Sequence, residues 1–271
     1  LKPVRENLLH YGEESFSSRC ARWFWSQVAS APPPLNVQHS RAEYLQFMKA
    51  EILRQSPAYA KGRVCIHGLE HLLAALDKSN VILGLLHHGS WLLIGGVIRH
   101  VLNLPYAVIA SRRNFDVMRG EEVRFWKYAH LVISAYYESP LFYSDQSQFK
   151  VLRWMKPKPR ILGIALDVRE YDQPHKESEI TFAGNRLWVQ TGPAKFARVS
   201  RSKIVPAGIH YDPVAKIHHL EFHEMIDPLH ESTDQETTQK VFTSLENNYT
   251  SYMQQGFGDL IKTFSVPHKP K

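Results

Sequence analysis

Two adjacent histidines, His87 and His88, are the residues of this sequence best placed to do chemistry. They follow an apolar run that begins at Val81, and Gly89 and Ser90 come directly after them. A neutral imidazole can take a proton from a hydroxyl near neutral pH, so a histidine at such a turn is a candidate general base. A hydrogen-bonded turn without a catalytic role fits the same residues, and the pattern alone leaves both interpretations open.

A histidine base usually needs a carboxylate that orients its second ring nitrogen. Asp167 is the acid with the best position, because it follows the apolar strand predicted over Ile161–Leu166. The carboxyl ends of parallel strands meet at one edge of a sheet, where open α/β folds bind their ligands. If the strands are parallel, we expect Asp167 to face the histidine turn.

The elements that position these residues alternate between strands and helices, which is typical of the α/β class. Strands are predicted over Val64–Ile66, from Val81 to the histidine pair, Tyr106–Ala110, Leu131–Ser134, Ile161–Leu166, Ile180–Phe182, Ile204–Ile209 and, as an edge strand, His218–Ile226. Helices are predicted over Ser15–Ser30, Ser40–Gln55, Gly68–Leu76, Ser90–Val101, Val117–Tyr128, Gln146–Lys156, Thr191–Ser200 and Asp234–Gln255, with a turn at Gly184–Arg186.

The predicted fold is one αβα domain with a mostly parallel central sheet flanked by helices. Within the 271 residues we expect N-terminal helices over 1–60, the α/β core over 61–230, and a C-terminal helix and tail over 231–271. The sequence contains no internal repeat, no low-complexity segment and no boundary to a second domain.

The composition favours anionic partners. Lys and Arg number 33 against 26 Asp and Glu, which gives a net charge of +7. The basic residues do not alternate with aromatic residues as a nucleic-acid stacking platform requires, so we expect no nucleic acid partner.

No apolar run approaches the roughly 18 residues of a membrane-spanning helix, and no signal peptide pattern is present. We expect a protein that is soluble or lies on a membrane surface.

The cysteines and the C-terminal histidines do not predict a disulfide or a metal site. Cys20 and Cys65 occur in unrelated contexts, which favours a reducing compartment. We expect no metal and no bound cofactor, and sheet-edge or surface roles for four histidines whose spacing is not typical of zinc ligands, namely His218, His219, His223 and His230.

Several arginines are candidates for binding phosphates or an acidic protein surface, because guanidinium pairs bidentately with such anions. A basic cluster is also typical of a solvated face, and the sequence leaves both interpretations open. The candidates are Arg112, Arg113, Arg119, Arg124 and, on the helix that begins near Thr191, Arg198.

The segment from Val64 to Leu229 resembles the lipid A biosynthesis acyltransferases, the late-acting branch of the lysophospholipid acyltransferase superfamily. The matching stretches are HGLEHLLAAL, GLLHHGSWLLIGG, ILGIALDV and ITFAGNRLWVQTGPAKFARVSRSKIVPAGI. The last stretch is the most specific, because that family places an apolar strand, a Thr-Gly helix and a strand ending in proline in this order.

The resemblance implies an α/β acyltransferase fold with His87 in the position of the catalytic base. The family carries Asp or Glu after four further residues, but Leu92 stands there, and counting from His88 gives Leu93. The family's later acidic position matches Asp167, and its arginine matches Arg124 or else Arg119. The membrane-spanning N-terminus and the Arg-rich C-terminal motif typical of those enzymes are not in the sequence either.

These departures favour a divergent relative within the superfamily, the lipid A glycyltransferase of polymyxin resistance. The resemblance then implies transfer of a glycyl or acyl group from the phosphopantetheine of an acyl or aminoacyl carrier protein to a hydroxyl of lipid A or a related anionic lipid. It implies a peripheral protein at the cytoplasmic face of the bacterial inner membrane. The residues expected to contact substrate are Ser90, Trp91, Arg112, Arg113, Arg119, Thr191 and Arg198.

Two alternatives stay open. One is an ordinary fatty acyltransferase of late lipid A biosynthesis, and the other is a catalytically inactive module that binds lipid or carrier protein. The lost acid at Leu92 favours the inactive module, whereas the retained His, Gly and Trp of the turn argue for an enzyme.

Overall fold

A computed structural model describes residues 57–110, 121–144, 148–156, 159–168, 177–212, 214–252, 255 and 260–267. Its helices are α1 Pro57–Arg63, α2 Leu69–Lys78, α3 Trp91–His100, α4 Glu121–Tyr137, α5 Gln148–Met155, α6 Gly192–Ser200, α7 Asp234–Ser251 and α8 Leu260–Phe264. Its strands are β1 Val64–His67, β2 Val81–Leu85, β3 Tyr106–Ala110, β4 Leu141–Tyr143, β5 Ile161–Ala165, β6 Glu177–Phe182, β7 Asn185–Gln190, β8 Lys203–Asp212 and β9 Ile217–Phe222.

Seven of these strands form one sheet in the order β1-β9-β8-β2-β5-β3-β4. The pairs are parallel except for β8 with β9, which are antiparallel. Strands β6 and β7 form a separate antiparallel hairpin. The predicted fold class, an α/β domain with a mostly parallel central sheet flanked by helices, is confirmed.

The central strand β2 is buried along its whole length, as expected for a strand covered by helices on both faces. Its consecutive residues Val81 and Ile82, whose side chains point to opposite faces of the sheet, belong to two different apolar clusters. One cluster takes residues from α2, α3 and α4, and the other takes residues from α5, α6, α7 and the hairpin. The two clusters are the two layers of core between the sheet and its helices.

Two of the predicted strands differ from the structure: one segment is helical, and the other is a strand inside the sheet and not at its edge. The segment Leu131–Ser134 is part of helix α4, because a short apolar run fits a buried helix as well as a strand. Buried Ala129, Ile133 and Tyr136 recur there at helical spacing. The predicted edge strand at His218 is β9, which ends at Phe222 and lies between β1 and β8, so it is not at the edge.

Two strands were not predicted. Strand β4 has three residues, too few for a periodic signal. Strand β7 begins at Asn185, inside the segment predicted as a turn, and the turn itself consists of Ala183 and Gly184. The predicted helices over 15–30 and 40–55 lie outside the described residues, as do residues 117–120 of the helix predicted at Val117. The division of the chain at residues 60 and 230 stays a prediction.

Among the described helices, none combines the length and the apolar character that crossing a membrane requires.

Candidate active site

The ends of β2 and β5 bring His87 and Asp167 together. The two strands are parallel neighbours, with Leu85 opposite Ala165, and each functional residue lies two positions beyond its strand. Nδ1 of His87 donates to Oδ1 of Asp167 at 2.8 Å, and the backbone N–H of His87 donates to Oδ2 at 2.8 Å. One carboxylate therefore fixes both the ring and the backbone of the histidine.

The two side chains differ in exposure, and the difference suits an orienting acid and an accessible base. The side chain of Asp167 is 5% exposed, whereas that of His87 is 20% exposed. Burial disfavours the imidazolium form of His87, but the charge of Asp167 and its hydrogen bond outweigh burial and raise the pKa of His87 above its ordinary value.

Trp91 restrains the ring of His87 from a second side. It is the first residue of α3, and its ring meets that of His87 edge to face, with centroids 4.6 Å apart and planes at 86°. The tryptophan is partly buried against the core cluster that includes α3. Hydrogen bonding by Asp167 and contact with Trp91 together hold the imidazole in one orientation.

His88 lies in a different environment from His87. Its Nε2 donates to the backbone carbonyl of Tyr252 at 2.8 Å, and its ring lies 5.4 Å from that of Tyr249, near the C-terminal end of α7. Burial lowers the pKa of His88, although the carbonyl partly offsets this effect. Of the two histidines, His87 therefore has the carboxylate partner of a base, and His88 has the contacts of a buried positioning residue.

Gly89 allows the turn to lie directly against β8. Its φ is +58°, in the left-handed region, and a Cβ atom added there would lie 2.0 Å from the carbonyl oxygen of Ile209. Its N–H donates to the carbonyl of Gln255 at 2.9 Å. No other residue type fits this backbone conformation and this approach without displacement.

Leu92, where the family resemblance implies an acid, has a buried side chain in the apolar cluster around α3. Its carbonyl accepts a hydrogen bond from the hydroxyl of Tyr137 at 2.6 Å. Ser90, which precedes α3, is also buried, and its carbonyl accepts from the N–H of Leu93 at 2.8 Å. The carboxylate that contacts the histidine therefore comes from Asp167 on a neighbouring strand, and not from the helix.

Of the predicted basic residues, Arg124 and Arg198 belong to the described part of the chain. Arg124 is exposed on α4. Arg198 on α6 is directed toward α7, where it donates to Asp234 at 2.9 Å and to the carbonyl of Glu231 at 3.1 Å. Thr191 is half-buried just before α6. Arg112, Arg113 and Arg119 lie outside the described residues.

The sequence interpretation missed a group of possible metal ligands. Cys65, His67 and His219 place one ligating atom each within 4.8 Å of the others. The signal that could have found them is the Cys-x-His pattern of β1, but its partner lies about 150 residues later in the sequence, so spacing could not join them.

No family model matches the sequence, and no curated protein matches it. One similar solved structure is that of the 1-acyl-sn-glycerophosphate acyltransferase PlsC from Thermotoga maritima. The TM-score is 0.43 at 12% sequence identity, and the match covers 93% of this chain and 98% of that chain. The similarity is one of backbone fold, and the sequence identity is low.

Proposed function

We propose that this protein transfers an aminoacyl or acyl group, with glycyl favoured, from a carrier-protein thioester to a hydroxyl of lipid A. His87 is the general base, and Asp167 positions it. The observation that carries the proposal is the pairing of a partly exposed imidazole with a buried carboxylate at the ends of two parallel strands. A histidine held in this way has a fixed tautomer, and its imidazolium is stabilised once it forms.

The proposed reaction has one proton to move in each of its two steps. The acceptor hydroxyl oxygen attacks the thioester carbonyl carbon while Nε2 of His87, the ring nitrogen that does not face Asp167, takes the hydroxyl proton. The tetrahedral intermediate then expels the thiolate as the carbon–sulfur bond breaks, and the proton on His87 passes to the sulfur. The products are the new ester and the free carrier thiol.

The choice of a glycyl donor is supported by the departures of the sequence from the fatty acyltransferases it resembles. Leu92 replaces the expected acid, and Asp167 contacts the histidine from a different strand. An aminoacyl thioester is short, so it needs no long hydrocarbon channel. Transfer of glycine adds an amine to lipid A, which lowers its negative charge, and such a change in lipopolysaccharide would give resistance to cationic peptides such as polymyxin.

The proposed location is the cytoplasmic face of the bacterial inner membrane, with the protein bound peripherally. A net charge of +7 is suited to the phosphates of lipid A and to the acidic surface of a carrier protein. The donor group is carried on the phosphopantetheine of that carrier.

The direct experiment incubates the purified full chain with lipid A and a carrier protein charged either with glycine or with a fatty acid. Mass spectrometry of the lipid is expected to show the added mass of a glycine residue with the first donor. Added mass with the fatty acyl carrier alone would replace the glycyl proposal with fatty acyl transfer. No added mass with either donor would contradict both and favour the inactive binding module.

A further inference from the structure

Strands β1 and β9 place three metal-ligating side chains at one end of the sheet. The strands are parallel, with Cys65 opposite His219, so these two side chains share a face of the sheet. His67 follows Cys65 by two residues on β1, and the alternation of strand side chains places it on the same face. The three residues are thus gathered by strand pairing and not by sequence spacing.

The distances within this group are close to those around a tetrahedral metal ion. Nε2 of His67 lies 2.9 Å from Nδ1 of His219, and the sulfur of Cys65 lies within 4.8 Å of one ring nitrogen of each histidine. Zinc bound at about 2.0–2.1 Å to nitrogen and about 2.3 Å to sulfur would separate two nitrogens by roughly 3.3 Å and a nitrogen from the sulfur by roughly 3.6 Å. Movements of an ångström or less bring the three atoms to these separations.

The cysteine distinguishes this group from an ordinary histidine pair. A hydrogen bond between two imidazoles explains the contact of His67 with His219, and their rings also stack with centroids 5.2 Å apart. It does not explain a free, half-buried thiol that converges on the same point. Two imidazoles and a thiolate are a donor set that suits Zn²⁺ and other late first-row transition metals.

Neighbouring side chains hold the group in place. The ring of His210 on β8 stacks on that of His219 at 5.0 Å, and the ring of Tyr252 stacks on His210 at 3.8 Å. These ring contacts restrain the orientation of the His219 imidazole. The stack ends beside the histidine turn, because the carbonyl of Tyr252 is the acceptor for His88.

We propose that Cys65, His67 and His219 bind Zn²⁺ or a closely related divalent transition metal, with the fourth coordination position open to water. The site is separate from the His87–Asp167 pair and does not depend on the function proposed above. Bound metal joins the terminal strand β1 of the sheet to β9 and so stabilises the folded chain.

Zinc and cobalt binding to the untagged, chelator-treated full chain tests this proposal. Calorimetry is expected to show a tight Zn²⁺ site that is lost in the cluster variants. Cobalt in its place should give the visible bands of a tetrahedral ion and a near-ultraviolet band from thiolate coordination. Zinc should also raise the melting temperature of the wild-type protein.

The variants assign the site to its residues. Substitution of His67 or His219 by Ala is expected to weaken Zn²⁺ binding by more than about 100-fold, the upper end of what loss of an outer partner costs. Cys65→Ser should abolish the near-ultraviolet cobalt band. The matched controls are Cys20→Ser and His230→Ala, the second at a histidine whose side chain is 80% exposed, and both should bind metal as the wild type does.

The proposal is wrong if wild-type protein shows no thiolate band with cobalt, a result that needs no variant to fold. It is equally contradicted if well-folded cluster variants bind zinc as tightly as the two controls.

Discussion

At the scale of single residues, the pairing of His87 with Asp167 sets opposing effects against each other. Burial of the imidazole favours its neutral form, which a base needs before the reaction. The carboxylate at 2.8 Å favours the protonated form, which the base becomes during the reaction. The balance leaves a histidine with a raised pKa and a fixed Nδ1–H, so Nε2 is the nitrogen that takes the proton in the proposed reaction.

Asp167→Asn is expected to lower the transfer rate by about 10³- to 10⁴-fold with little effect on the fold, because the amide keeps the shape but loses the charge and the tautomer control. The measurement is the rate constant for lipid modification. Asp234→Asn, which removes the charge of a carboxylate on α7 that pairs with Arg198 of α6, is the matched control and should keep the wild-type rate. A wild-type rate in Asp167→Asn would mean that the orienting acid lies elsewhere.

The pH dependence of the rate follows from the raised pKa of His87. A general base works in its neutral form, so the rate should fall as the pH drops through that pKa, and the midpoint of the fall should lie above the ordinary pKa of a histidine. In Asp167→Asn, burial remains while the charge is gone, so the acid limb of the residual rate should move to lower pH. An acid limb at the same pH in both proteins would contradict this assignment.

At the scale of elements, the site depends on the contact of the histidine turn with β8 and with the segment after α7. Gly89 permits the first contact, and its N–H bond to Gln255 makes part of the second. His88 adds a bond to Tyr252. The position of His87 is therefore set by β8 and the segment after α7 as well as by its own strand.

Gly89→Ala should lower the free energy of unfolding by about 2–4 kcal/mol, because a left-handed backbone strains alanine and the new Cβ meets the carbonyl of Ile209. Urea unfolding measures the change. Gly184→Ala is a matched control, since Gly184 has a φ of +72° with no atom within 4 Å of an added Cβ. It should cost only about 1 kcal/mol. Equal losses in the two variants would show that the contact with β8 adds nothing.

The sequence predicted those elements whose signals are local. The apolar run of β2, the strand that precedes Asp167 and the helix that begins at Asp234 all carry local patterns, and the structure contains each. The assignment of Leu131–Ser134 failed because burial inside a helix and inside a strand selects similar residues. The place of β9 inside the sheet could not be inferred, since its outer neighbour β1 precedes it by about 150 residues.

The same contrast applies to the candidate site. Contact between His87 and Asp167 followed from the rule for parallel strand ends, which needs no knowledge of register. The different environments of His87 and His88 did not follow, because they depend on where α7 ends. The group of Cys65, His67 and His219 required the pairing of β1 with β9, which no local pattern reveals.

At the scale of the whole molecule, the sheet topology and the net charge serve different steps of the proposed function. The mostly parallel sheet brings the strand ends together and so assembles the base and its acid. The net charge of +7 acts over a longer range and, in the proposed function, attracts the anionic lipid and the acidic carrier protein. In the proposed function, proton transfer therefore depends on the strand ends, and binding of anionic partners depends on the net charge.

Binding to membranes is therefore expected to depend on lipid charge. The full chain should sediment with vesicles that contain anionic lipid at low ionic strength and should be released as salt is added, because added ions screen the attraction. Vesicles of zwitterionic lipid are the control and should bind weakly. Equal binding to both kinds of vesicle at every salt concentration would contradict peripheral attachment by charge.

The central claim is that His87 removes the proton from the acceptor hydroxyl. The most direct test is the rate of lipid A modification by His87→Ala, with His88→Ala beside it and each rate expressed per folded protein. His87→Ala should lose transfer by at least about 10³-fold while it keeps its fold, and His88→Ala should lose much less, because His88 positions the turn and does not take the proton. Wild-type transfer by folded His87→Ala would show that His87 is not the general base.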